Sequence, residues 1–107
     1  MKSNEIFALR AALLLARSEA LKLKDTEDGG TCNFDTPTLK LSDKWTREEI
    51  EEAFKDTTLT PYFIEGNYIH ILGATCGQGY RNTEMAKAFR DSLKESGYTS
   101  YVHYQMD

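Results

Sequence analysis

The chain contains few cysteines and histidines, and no long apolar run. Its 107 residues include two cysteines, Cys32 and Cys76, and two histidines, and each of these stands alone in its segment without the spacing of a zinc site. Its longest apolar run, over residues 8–16, is interrupted by Arg10 and falls well short of the roughly 20 residues of a membrane span. The N-terminus does not have the pattern of a signal peptide. We therefore expect a cytoplasmic protein without a membrane partner, whose thiols are reduced.

The chain also lacks an excess of positive charge. Thirteen lysines and arginines stand against 17 aspartates and glutamates, so the net charge is −4, which argues against non-specific binding to DNA. Hydrophobic residues make up 40% of the chain, which is typical of a folded protein. The length predicts a single domain over residues 1–107, with a core but no deep catalytic cleft within one subunit.

A long amphipathic helix is predicted over residues 4–24. Its apolar residues recur at a spacing of three and four, and others at every seventh position widen the stripe. The stripe packs in the core, or part of it forms the seam of a dimer. The residues of the main stripe are Ile6, Leu9, Leu13, Ala16, Ala20 and Leu23, and those that widen it are Phe7, Leu14 and Leu21.

The rest of the chain alternates between strands and helices. Strands are predicted at 37–41, 61–65, 68–72 and 100–105, and helices begin at Thr46, with a capping box to Glu49, and near Thr83. Gly66-Asn67 joins the two middle strands as a type I′ or II′ hairpin, and Gly97 ends the last helix. The order over residues 31–107 is the ferredoxin-like β-α-β-β-α-β arrangement. We therefore expect an α+β protein with a four-stranded antiparallel sheet, and an additional N-terminal helix (residues 1–25) that covers the open face or pairs with a second subunit.

The most informative segment is the glycine-rich loop over residues 73–82. It follows the strand at 68–72 and opens a helix, which places free backbone N–H groups and a helix N-terminus at one point. Arg81 adds a planar cationic donor suited to phosphate or carboxylate. The loop is neither a Walker motif nor a dinucleotide fingerprint, because the Gly-Lys-Ser/Thr sequence and the three-glycine spacing are both missing.

The predicted topology brings this loop to one edge of the sheet together with two other segments. The first and third strands are antiparallel neighbours, so the start of the first lies beside the end of the third, and the last strand ends there too. We call this edge the rim and predict a ligand site on it, with no catalytic residue, metal or cofactor. Its predicted ligand-binding residues are Cys32, Asn33, Asp35, Cys76, Gly77, Gln78, Gly79, Tyr80, Arg81, Asn82 and Gln105.

Several of these residues also have a structural interpretation. Gly77 and Gly79 can serve only a tight turn, Asn82 can cap the last helix, and Arg81 can pair with a nearby aspartate. Cys76 precedes a helix N-terminus, where a thiolate is favoured, but no histidine is an obvious base for it.

Three motifs resemble small proteins encoded by phages and prophages of Gram-positive bacteria. They are residues 30–35 (GTCNFD), residues 77–79 (GQG) with Arg81 and Met85, and residues 104–107 (YQMD). The resemblance covers most of the chain after the first helix. It implies a phage setting, in which small proteins without catalytic signatures act by blocking host defence proteins or by sequestering nucleotide messengers.

Three hypotheses of function follow. The first is a homodimeric or larger binding protein that sequesters a nucleotide or another phosphate-bearing small molecule, which would counter host defence. The second is an inhibitor that binds a host defence protein through the first helix and the acidic second helix. The third is a small enzyme that uses Cys76, which predicts selective alkylation of that thiol. We favour a protein that is not an enzyme.

Overall fold

Along the residues that the structure describes, three helices and four strands follow one another in the predicted order. The computed structural model describes residues 3–25, 35–75 and 79–104. The elements are α1 (Ser3–Leu21), β1 (Thr36–Lys40), α2 (Arg47–Phe54), β2 (Thr60–Glu65), β3 (Tyr68–Leu72), α3 (Gly79–Glu95) and β4 (Thr99–His103). None of the helices in these ranges is long and apolar enough to cross a membrane.

The four strands form one antiparallel sheet in the order β2-β3-β1-β4. The central strand β1 pairs with both neighbours, and Leu39 lies opposite Ile69 on one side and Ser100 on the other. Pro37 has no N–H to donate, and it stands just before the ladder to β3 begins at Thr38. The α+β, ferredoxin-like arrangement predicted from the sequence is confirmed.

All three helices pack on the same side of the sheet. α3 packs on β1 and β4, α2 packs on β2, and α1 packs on α3 and α2. Leu39, Ile69 and Ile71 of the sheet share one core cluster with buried residues of all three helices. The expectation that α1 covers the open face of the sheet is therefore wrong. α1 instead extends the helical layer, because its apolar stripe packs on α3 and α2.

The buried apolar stripe of α1 is narrower than the sequence predicts. Leu13 is 0% exposed, and Ala12, Ala16 and Ala20 are buried along one line at a spacing of four, where their small side chains let α1 approach its neighbours closely. Phe7 is 70% exposed, so it does not belong to the buried stripe. Leu21 is also exposed, and the widened part of the predicted stripe is thus wrong at these two positions.

Local signals at the helix ends are confirmed. Thr46 Oγ1 accepts a hydrogen bond from the Glu49 N–H at 3.2 Å, and the Thr46 N–H donates to Glu49 Oε1 at 2.8 Å. Gly97 has φ +94°, and the N–H of Tyr98 donates to the carbonyl of Leu93 at 3.0 Å, which is the bond pattern of a Schellman C-cap. These contacts satisfy backbone groups that the helices leave open.

The hairpin between β2 and β3 turns at Gly66-Asn67. Gly66 has φ +54°, whereas Asn67 is not among the described residues with positive φ. Of the two predicted turn types this excludes type I′, which needs positive φ at both positions, and leaves type II′.

Candidate functional site

The rim is held together by contacts between the start of β1 and α3. The Asn82 side-chain amide donates to the Asp35 carbonyl at 3.0 Å, and Thr83 Oγ1 donates to Asp35 Oδ2 at 2.8 Å. Asp35 and Asn82 are both buried. These contacts fix the start of the central strand against the first turns of the helix that follows the glycine-rich loop.

α3 begins at Gly79, four residues earlier than predicted. Asn82 is therefore inside the helix, and the interpretation of Asn82 as its cap is wrong. The buried bond from Asn82 to Asp35 gives the amide a structural role that the sequence pattern did not reveal. The sequence pattern predicted too late a start for α3, because glycine at position 79 is typical of a loop. The tertiary contact between Asn82 and Asp35, which lies in the first turns of the helix, is not visible in the sequence pattern.

The rim also receives the end of β4. Thr36, the first residue of β1, lies opposite His103, the last residue of β4. Because β1 is antiparallel to both β3 and β4, the end of β3 lies at the same edge of the sheet. The directions of the strands are as the sequence predicted.

The structure describes only part of the predicted ligand set. Asp35, Arg81 and Asn82 are described in full, and Gly79 and Tyr80 form the first two positions of α3. The other six members lie outside the described residues, so their placement on the rim stays a prediction. These six are Cys32, Asn33, Cys76, Gly77, Gln78 and Gln105.

The electrostatics at the start of α3 favour an anion at the very end of the helix. The first turn of α3 contains no acidic residue, and it contains Arg81. The carboxylate of Asp35 lies beside Thr83, further along the helix. A bound anion would therefore have to sit at the N-terminal end, away from Asp35, where the helix dipole is most favourable.

A second candidate region lies on the sheet face that no described helix covers. Tyr62, Tyr68, His70, Tyr101 and His103 occupy this open face, because they pair across the strands with one another or with β1 residues of the same face. The ring centroids of His70 and His103 are 4.8 Å apart, and those of Tyr62 and His70 are 6.2 Å apart. The face thus presents a cluster of aromatic rings to solvent.

A cavity of about 470 Å³ opens among these rings. Its lining includes Thr38, His70, Tyr101, His103 and, at one end, Glu65. Burial lowers the pKa of His70 from its ordinary value of 6.5, and the nearby His103 lowers it further. At pH 7 His70 is therefore mostly neutral and presents an uncharged ring.

Sequence reasoning predicted the strands that form this face but not the cavity. The period-two alternation of β3 and β4 places Tyr68 and His70 on one face, and likewise Tyr101 and His103. Only the registers β1–β3 and β1–β4 bring the two pairs together over Thr38, and a single sequence does not give these registers.

Within the ranges that the structure describes, no three histidine, cysteine, aspartate or glutamate side chains come together as a metal site. Comparison of the chain with models of known protein families, with curated proteins and with solved structures finds no match. The fold and the site's own chemistry are therefore the basis for any function.

Proposed function

We propose that this chain is a non-catalytic binding protein that sequesters a nucleotide or another phosphate-bearing small molecule. The observation that carries the proposal is the attachment of the first turns of α3 to the start of β1 through Asn82, Thr83 and Asp35. This attachment gives the helix N-terminus a fixed position at the rim. A preorganised site loses little entropy when its ligand binds.

In this proposal the phosphate binds at the N-terminal end of α3. Backbone N–H groups of the first turn and of the glycine-rich loop donate to its oxygens, and Arg81 supplies charge-assisted hydrogen bonds. The predicted contributions of Gly77, Gln78 and Gln105 come from the sequence. The resemblance to phage proteins suggests a setting in which removing a host signal nucleotide counters defence, and sequestration needs no chemical step.

The proposal is tested by a thermal-shift screen against linear and cyclic nucleotides, ADP-ribose derivatives and simple phosphates. A ligand at about 100 times its dissociation constant stabilises the fold by roughly 2.7 kcal/mol, which gives a measurable rise in Tm. We expect Arg81→Ala to lose this rise. Lys87→Ala is the matched control, because it removes the same charge from the same helix, where Lys87 is half-buried and paired with Glu84 at 3.5 Å.

If Arg81→Ala keeps the full rise in Tm while a nucleotide still binds, the phosphate does not bind at the start of α3. If Lys87→Ala loses the rise as well, the effect is one of total charge and not of a site.

A second candidate function, binding to a host protein, is favoured by the outer face of α1. Phe7, Leu15 and Leu21 are exposed there although they are large and apolar. Exposed apolar residues on one helix are typical of protein interfaces when they form a contiguous patch. This alternative predicts that no compound in the same screen raises Tm.

A further inference from the structure

The cavity on the open face of the sheet has a polar floor. Thr38 lies at the middle of β1, with His70 opposite it on β3 and Tyr101 opposite it on β4. Thr38 is 6% exposed and lines the cavity. Its hydroxyl oxygen is buried and has no hydrogen-bond partner among the residues that the structure describes.

A buried hydroxyl without a partner is costly. Burial removes its bonds to water, and each such group destabilises a fold when nothing replaces them. A valine would fill the same space without this cost. A threonine at this position is therefore better explained by a ligand that bonds to the hydroxyl than by packing.

The walls of the cavity are suited to a flat ring. Tyr101 is 48% exposed, and the ring of His103 lies 4.8 Å from that of His70. Aromatic side chains on an open four-stranded sheet offer stacking surfaces to planar heteroaromatic groups. The volume of about 470 Å³ lies within the range of small-molecule sites.

The charge of the face decides between a single base and a polynucleotide. Glu65 lines the cavity at one end, and Lys40 lies with its ammonium 5.4 Å from the centre of the Tyr68 ring. One carboxylate and one ammonium leave the described face without net positive charge. A strand of nucleic acid needs a row of cations for its phosphates, whereas an uncharged ring does not.

We propose that the open-face cavity binds the planar heteroaromatic ring of a nucleoside, which stacks on Tyr101 or the histidines and hydrogen-bonds to the hydroxyl of Thr38 once that buried side chain rotates its oxygen into the cavity. That this ring belongs to the same ligand whose phosphate binds at the rim rests on the proposed function. The two parts are compatible, since His103 lies both in the cavity lining and opposite Thr36 at the start of β1.

The test uses nucleosides, which carry no phosphate. Adenosine, guanosine, cytidine and uridine are titrated into the full ¹⁵N-labelled chain to about 10 mM, which saturates a site with a dissociation constant near 1 mM. We expect amide resonances of β1, β3 and β4 to shift. Tyr101→Ala should weaken binding about 5- to 150-fold through lost stacking, and Thr38→Val about 2- to 12-fold through the lost hydrogen bond.

Thr38→Val has a second readout that separates a ligand role from a structural one. The variant removes the unpaired hydroxyl, so it should raise the Tm of the free protein by about a few degrees while it weakens binding. A fall in Tm would mean that the hydroxyl is satisfied in the fold, and the proposal would be overturned.

Tyr104→Ala is the matched control for Tyr101→Ala. Tyr104 is 59% exposed and lines a neighbouring groove beside Arg90, not the cavity. Its loss should leave nucleoside binding unchanged. Weaker binding in Tyr104→Ala together with normal binding in Thr38→Val would place the ring in that groove and overturn the inference.

The two proposals fail in different ways. The cavity is not a base site if nucleotides bind through Arg81 with an affinity that Thr38→Val and Tyr101→Ala leave unchanged, or if no nucleoside binds. If nucleosides bind in the cavity and Arg81→Ala does not weaken the binding of the corresponding nucleotides, the cavity inference stands. The proposed phosphate site at the rim is then wrong. Affinity that grows with the length of a single strand would assign the face to nucleic acid and overturn the nucleoside proposal.

Discussion

At the scale of single residues, His70 links the open face to pH. Its pKa is lowered in the folded protein by burial and by the nearby His103. Thr38 and Tyr62 lie opposite it on the two neighbouring strands, and the carboxylate of Glu65 lines the same cavity. Protonation is therefore easier in the unfolded chain than in the folded one.

The sign of the pH dependence follows. Well above pH 6.5 His70 is neutral in both states and contributes no pH dependence. As the pH falls through 6.5, the unfolded state binds a proton before the folded state does, so the free energy of unfolding falls until the folded-state pKa is passed. We expect urea unfolding to show lower stability at pH 5.5 than at pH 7.5, and His70→Gln to reduce this difference. An unchanged difference in the variant would assign the pH dependence to other groups.

The predictability of the two candidate sites also differs at this scale. The rim follows from the order of the elements, because antiparallel neighbours bring the start of β1 and the end of β3 to one edge. Asp35 and Asn82 were both among the residues that the sequence assigned to it. Thr38 was not predicted, since a threonine inside a strand has no distinctive pattern. Its burial depends on rings from two other strands, and their registers are set by tertiary packing.

At the scale of the elements, α1 separates buried from exposed leucines within one turn. Leu13 is 0% exposed, and Leu15 is 52% exposed. We expect Leu13→Ala to lower the free energy of unfolding by about 2–5 kcal/mol, because it removes buried methyl groups and leaves a cavity.

The matched substitution Leu15→Ala should change stability by less than about 0.5 kcal/mol, since the side chain is half in solvent and alanine favours the helix. Both values come from chemical denaturation of the full chain. Equal losses in the two variants would mean that α1 packs through a different face.

Elements with strong local signals were predicted well. The capping box at Thr46 and Glu49 fixed the start of α2, and the Gly97 cap fixed the end of α3. The outer part of the α1 stripe was predicted less well, because periodicity identifies an apolar face without giving the width of the surface that is buried. Phe7 and Leu21 fit the pattern, but they are exposed, because α2 and α3 cover only the narrower stripe.

At the scale of the whole molecule, one core cluster joins every helix to the sheet. It contains Leu9 and Leu13 of α1, Leu39 of β1, Ile50 of α2 and Phe89 of α3. Polar contacts tie α1 to the segment after α2 as well, because Arg17 Nη1 donates to the Thr57 carbonyl and to Thr58 Oγ1, each at 2.8 Å. α1 is thus part of the domain and not an appended arm.

This shared core predicts that α1 does not unfold separately. Trp45, the only tryptophan, lies in the same cluster and is 9% exposed, so its fluorescence reports the core around α2. Far-UV circular dichroism reports helix content, to which the 19 residues of α1 make the largest contribution among the described helices.

We expect the two probes to give coincident thermal transitions, and Leu13→Ala to lower both by the same number of degrees. A loss of helix signal that precedes the change in Trp45 fluorescence would show that α1 is a separate cooperative unit. The prediction of a single domain over residues 1–107 would then be wrong.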